Sequence, residues 1–331
     1  MSRIGATVFA LVAATAATLV GQTASAQQIL DPSLPVYRPV DKLSGTLTLV
    51  GSDTMSHVAA AWADSFRRFY PDVEVDIQVR GSINAVPSVI SGEASFGLLS
   101  RRITEAEVTA FEKKFGHPPT LLTPTLEPIA IFVHKDNPIE SLSLQQIDAI
   151  FSTTVQRGAA RPAKTWGDVG VAGAWASRPI TAIGRSDTTG SQIFFKDSVL
   201  LGGDFRPDLV SQKSNLDLVK AVAGNTQGVG FAGVTYVLPG VKPVPVTLEQ
   251  GQPAYSPLSI EGIAGQYPLV RPLQLVVNHP PQTDLSPLQS EFIKYVFSRM
   301  GQEDVLKSGF RPITGRPAQM ALDAVGLETL R

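Results

Sequence analysis

The chain has 331 residues, 43% of them hydrophobic and 17% charged, enough apolar material for two compact domains and too much for a disordered chain. The formal net charge is -1 with no run of like charges, which disfavours nucleic acid and anionic membrane surfaces, because a phosphate backbone is bound through clustered Lys and Arg. Cysteine is absent, so there is neither a disulfide framework nor a lipoprotein cysteine.

Residues 8–20 form an apolar, Ala-rich run behind Arg3 and end in Gln22-Thr23-Ala24-Ser25-Ala26. This predicts a signal peptide over 1–26, cleaved after Ala26, rather than a retained anchor, since the run is short for a bilayer span. An exported chain without cysteine points to a periplasm. Residues 27–43 carry Pro32, Pro35 and Pro39 among polar residues and read as an extended arm over the surface.

The folded part begins with a strand over 45–50, then Gly51-Ser52-Asp53-Thr54-Met55, then a helix with Val58, Trp62, Phe66 and Phe69 on one face, stopped by Pro71. Val73, Val75, Ile77 and Val79 alternate with polar residues as a strand ending at Arg80-Gly81-Ser82. A short helix follows with Ile83, Val86 and Ile90 inward. The buried strand 96–99 ends at Ser100-Arg101-Arg102, and Thr104 with Glu107 makes a capping box for a helix through Phe111 and Phe115. Three successive strand ends thus carry Thr54, Ser82 and Ser100. In an open parallel sheet, ligands bind at the carboxyl ends of strands.

Residues 128–133 are a continuous apolar strand that reads as a crossing into a second lobe, followed by a helix capped by Ser143 and Gln146. A loop-rich region over 158–178 holds Trp166 and Trp175, both read as core packing. Residues 179–183 are β-prone and lead into Gly184-Arg185-Ser186-Asp187-Thr188-Thr189-Gly190-Ser191, after which the apolar Ile193-Phe194-Phe195 starts a helix reaching about Leu201.

That loop is suited to an anion. Amides at a helix start lack intrahelical acceptors and sit at the positive end of the dipole, Thr189 and Ser191 add hydroxyls, and Gly190 allows close approach. Arg185 brings a guanidinium fork for two oxygens of a tetrahedral oxyanion. The competing reading is a polar turn whose Thr and Ser only cap the helix, with Arg185 in a surface ion pair. Farther on are a helix over 216–223, a glycine-bracketed strand over 227–233, a Pro-rich stretch over 239–257, an apolar strand over 269–278 and an amphipathic helix over 287–298.

Taken together, these stretches resemble the PstS-like phosphate-binding proteins of ABC uptake systems. The residues carrying the resemblance are Gly51-Ser52-Asp53-Thr54, Gly81-Ser82, Phe96-Gly97-Leu98-Leu99-Ser100-Arg101, Asp136-Asn137-Pro138-Ile139, the 144–151 helix, Gly184-Arg185 through Gly190-Ser191, and Gly301-Gln302-Glu303. The resemblance implies an α/β, two-lobed periplasmic binding protein of type II, with a ligand cleft between lobes and two crossings. Residues 44–132 and 245–331 would form one lobe and 133–244 the other.

It also implies a monomer that captures inorganic phosphate and passes it to an ABC permease, with no cofactor. Thr54, Ser82, Arg185, Thr189, Gly190 and Ser191 would bind the anion through hydroxyls, amides and the guanidinium. Ser100 stands where some members carry Asp, an acid that accepts a hydrogen bond from protonated phosphate and repels sulfate. Asp53 is the candidate to take over that acceptor role, with an N-cap as the competing role; Asp187 is a weaker candidate, read rather as a loop cap or partner of Arg185.

A phosphate-ester hydrolase using Asp53 or Ser186 is the rival class. His57, His117, His134 and His279 are scattered without paired metal spacing, and no G-x-S-x-G elbow occurs, which argues against it. A binding protein or sensor for another oxyanion, such as sulfate, remains as the alternative within the fold.

Overall fold

The computed structural model of the chain describes residues 30–259 and 266–327, and the segment expected to be a signal peptide lies outside them. In chain order the first elements are β1 (Gly45–Gly51), α1 (Asp53–Phe69), β2 (Val73–Val79), α2 (Ala85–Ser91), β3 (Phe96–Leu99) and α3 (Glu105–Phe115). Apolar residues three and four apart put Met55, Val58, Trp62 and Phe66 on the buried face of α1. The capping box of α3, Thr104 with Glu107, is formed.

The chain continues through β4 (Thr120–His134), β5 (Leu142–Ser143), α4 (Leu144–Phe151), β6 (Thr181–Gly184), α5 (Gly190–Ser198), β7 (Val210–Ser211), α6 (Asn215–Ala223), β8 (Gly228–Gly233), β9 (Val241–Val244) and β10 (Val246–Thr247). It ends with β11 (Val270–Val277), α7 (Pro287–Val296), α8 (Arg299–Lys307), β12 (Arg311–Pro312) and α9 (Gly315–Asp323). Ser143 and Gln146 cap α4 as expected.

One sheet runs β2-β1-β3-β11-β4-β8-β6-β7. Strands β1, β2 and β3 are parallel, as are β6, β7 and β8, while β4 is antiparallel to β11 on one half and to β8 and β9 on the other. The expected apolar strand over 128–133 is therefore only the second half of a 15-residue strand serving two lobes. At the join, the Ile129 amide donates to Leu269 O and Tyr267 Oη donates to Ile129 O, both at 2.7 Å. The two crossings are thus hydrogen-bonded to each other.

Each lobe has its own core on both faces of its part of the sheet. Leu49, Trp62, Phe66, Phe292 and Tyr295 are among the residues of the first, and Ile131, Phe151, Trp166, Phe195 and Phe231 among those of the second. Trp166 is fully buried, as expected, whereas Trp175 is half-buried under the Arg178 guanidinium.

The arm departs from expectation. Leu34 and Tyr37 are buried in the first core, Tyr37 Oη hydrogen-bonds Tyr70 Oη at 2.8 Å and donates to Glu291 at 3.1 Å, and the Gly315 amide donates to Asp31 at 3.0 Å. Two apolar side chains spaced three apart among prolines are enough to anchor it, each burial contributing roughly 1.5–3 kcal/mol.

Candidate functional site

Strand β1 ends at Gly51, and the next residue, Ser52, is the N-cap of α1, its Oγ accepting from the Met55 amide at 3.4 Å. Asp53 is therefore not the cap but the first helical residue, where a carboxylate gains from the helix dipole. Across the cleft, β6 ends at Gly184 and Thr189 caps α5, accepting from the Gln192 amide at 3.4 Å. The first-turn amides of Asp53 and Thr54 on one lobe, and of Gly190 and Ser191 on the other, have no acceptor within their helices. These two positive helix ends converge on one buried point.

Thr54, Ser82, Ser100, Arg185, Thr189, Gly190 and Ser191 are all buried there, and Asp53 is partly so. The closeness of the lobes is clearest at Gly190, where a Cβ would stand 2.1 Å from Ser100 Oγ and 2.6 Å from Ser82 Oγ. No other residue fits there while the lobes stay in contact.

The expected ligands differ in how many hydrogen bonds they already make. Ser52 Oγ donates to Ser100 Oγ at 2.7 Å, Ser82 and Ser100 share one proton at 2.9 Å, and the Ser100 amide donates to Ser82 Oγ at 3.1 Å. That chain uses two hydroxyl protons and leaves one, carried by Ser82 or Ser100. The hydroxyl of Thr189 is committed, donating to Ser186 O at 2.9 Å while it caps α5, and its amide also bonds Ser186 O. Thr189 therefore shapes the loop rather than offering a hydroxyl.

Arg185 is also more committed than a free fork. Nε donates to Gln212 O, one Nη1–H to Asn215 Oδ1 at 2.6 Å, and Nη2 to Asp53 Oδ2 at 2.6 Å and Lys213 O at 3.0 Å. One Nη1–H remains. Its carboxylate partner is Asp53 on the other lobe, while Asp187 is exposed. Asp53 Oδ1 is buried and has no hydrogen-bond partner, which leaves one unpartnered acceptor on the first turn of α1, next to the helix-end donors; Glu127 Oε1 is likewise buried and unpartnered.

Sequence reasoning missed Arg271, Glu127, Ser52 and Asn215. Arg271 on β11 is fully buried beneath the cleft, bound to Glu127 of β4 through Nε at 2.9 Å and Nη2 at 2.6 Å. Its Nη1 donates to Ser100 O at 2.7 Å, and Nη2 reaches Thr54 Oγ1 at 3.2 Å and Ser191 Oγ at 3.0 Å. Burial pushes the Glu127 carboxyl up, while the charge and hydrogen bonds of Arg271 pull it back. Gly233 on β8 makes room for it, since a Cβ would lie 1.8 Å from Glu127 Oε1. The available signal was a lone cation and a lone acid, each interrupting an apolar strand at a crossing.

The two guanidinium groups are matched by two carboxylates, so attraction for an anion comes from the helix ends and free O–H and N–H donors rather than from net charge. Among the described residues no group of three or more His, Asp or Glu could hold a metal ion.

The PBP superfamily domain model matches residues 36–300. The phosphate-binding protein PstS of Pseudomonas aeruginosa is 39% identical over 304 residues, covering 92% of this chain and 94% of that protein. Among solved structures, a substrate-binding protein from Clostridium perfringens with bound phosphate aligns with a TM-score of 0.65 at 23% identity, covering 82% of this chain and all of that one. An ABC-type phosphate transport receptor from Vibrio cholerae aligns with a TM-score of 0.64 at 22% identity, covering 81% and all of that chain. These two likenesses establish the two-lobed fold.

Proposed function

The chain belongs to the PstS family of phosphate-binding proteins within the PBP superfamily, and from that premise we propose that it captures inorganic phosphate between its lobes and hands it to an ABC permease. It acts in the periplasm, as a monomer, after removal of residues 1–26. The expected division gives residues 44–132 and 245–331 to one lobe and 133–244 to the other; the packing of Ile129, Ile131, Val246 and Leu269 in the second core favours a first crossing before Ile129 and a second after Leu269.

The ligand is held by the amides of Asp53, Thr54, Gly190 and Ser191, by the hydroxyls of Thr54, Ser191 and whichever of Ser82 and Ser100 carries the spare proton, and by the remaining Nη1–H of Arg185. Thr189 positions the loop. Because these contacts come from both lobes, the anion favours the closed form, and lobe spacing is what a permease reads.

The observation carrying the phosphate reading is the unpartnered, buried Oδ1 of Asp53. Protonated phosphate donates to it, whereas sulfate brings only lone pairs and is repelled. Calorimetric titration of Asp53→Asn tests this. The phosphate preference over sulfate should fall by about 10- to 100-fold, the worth of one charge-assisted hydrogen bond. An unchanged ratio would remove Asp53 from the discrimination. The serine at position 100 favours a second reading, a receptor for another oxyanion, and the same titration decides it: sulfate preferred by the unaltered protein would establish that reading.

A further inference from the structure

Arg271 has two roles open to it: a counterion for Glu127 alone, or a group that acts on the ligand hydroxyls. Its hydrogen bonds decide between them. With one Nη2–H on Glu127 at 2.6 Å, the other is shared between Thr54 Oγ1 at 3.2 Å and Ser191 Oγ at 3.0 Å. These hydroxyls stand on the first turns of α1 and α5, so a single N–H bridges both lobes.

A hydroxyl has one proton and two lone pairs. Thr54 Oγ1 accepts from Arg271 and also from Asn215 Nδ2 at 3.4 Å, and the amide of Asn215 is oriented by Arg185, which donates to its Oδ1 at 2.6 Å. Both lone pairs of Thr54 are then occupied, and its proton has no role except donation outward. Ser191 is biased the same way by its bond from Arg271.

We propose that Arg271 is a positioning residue that fixes the polarity of the cleft: held from below by Glu127, it turns Thr54 and Ser191 into obligate donors to the bound oxyanion and adds one hydrogen bond that exists only when the lobes are together. Arg185 does the same for Thr54 through Asn215. The inference rests on the phosphate reading above.

The test is a double-mutant cycle read by calorimetric titration with inorganic phosphate, comparing Arg271→Lys in the unaltered background and in Thr54→Val, Ser191→Ala and Thr54→Val/Ser191→Ala backgrounds. Lysine keeps the charge but cannot reach Glu127, Ser100 and both hydroxyls in one plane. Arg271→Lys should weaken phosphate binding by roughly 10- to 100-fold alone, by a smaller factor once either Thr54 or Ser191 has lost its hydroxyl, and by less than about threefold once both have. An equal loss in every background overturns the proposal and leaves Arg271 as a counterion only. If circular dichroism finds Arg271→Lys unfolded, the Glu127→Gln/Arg271→Gln variant, which removes both charges together, takes its place in the cycle with the same expectations. No phosphate binding by the unaltered protein would defeat the phosphate reading and this inference together, whereas binding with an additive cycle defeats this inference alone.

Discussion

Replacing Gly190 by Ala adds one methyl group at the point where the lobes meet. The Cβ would lie 2.1 Å from Ser100 Oγ, against 3.4 Å for ordinary contact, a shortfall of about 1.3 Å, and 2.6 Å from Ser82 Oγ and 3.1 Å from Ser100 O. Ser100 cannot easily turn away, because Ser52, Ser82 and its own amide hold it in place. Relief must come from the lobes parting, which breaks the arrangement that gathers both helix ends on one ligand. Overpacking of this kind costs about 1–3 kcal/mol, and here the cost falls on the closed state alone. Phosphate affinity should therefore drop by roughly 5- to 150-fold. The unliganded protein should melt at or above its normal temperature, since Ala at the first position of α5 is a better helix former than Gly. Calorimetry gives the affinity, and small-angle scattering with and without phosphate gives the compaction. Normal affinity with normal compaction in Gly190→Ala would show that the lobes do not meet at this position in the bound state.

Two further outcomes follow from packing and charge. Phe231 is fully buried and stacks on Phe195 with ring centroids 3.7 Å apart, so Phe231→Ala should cost about 3–5 kcal/mol in denaturant unfolding, and a loss below about 1 kcal/mol would mean that the second core is not packed this way. Burial pushes Glu107 up, but the hydrogen bonds from Arg101 and Thr104 and the charge of Arg101 outweigh it and leave its carboxyl below the ordinary 4.5. Its contribution is thus complete above that value and lost as pH falls through the lower folded value, so melting temperature should decline in acid less steeply in Glu107→Gln than in the unaltered protein. Parallel acid profiles would contradict the assignment.

Much of the site was legible because Ser and Thr at strand ends, followed by helix starts, are a local pattern. Gly51 to Thr54 and Gly184 to Ser191 each contain strand end, loop and helix cap within a few residues. What escaped depends on distant partners. Arg271 and Glu127 are 144 residues apart, and each alone looks like the solvent-facing member of a strand. Asp53 and Arg185 likewise meet only across the cleft, so a fork for the anion was expected where most of the guanidinium is already bound. The first half of β4 was missed because Pro124 and its polar neighbours hide a strand that is fixed by β11 and β12. Helix α8 escaped because its sequence is mostly polar, although Gln302 and Val305 face the core.

The two helix ends and the free Asp53 oxygen together are proposed to form a phosphate site that excludes sulfate. The most direct test is calorimetric titration of anion-stripped, refolded protein with phosphate and, separately, with sulfate. Phosphate should bind, with sulfate weaker by at least about 100-fold, as expected when a buried acceptor meets an oxygen that cannot donate. Equal affinities, or a preference for sulfate, would contradict that proposal.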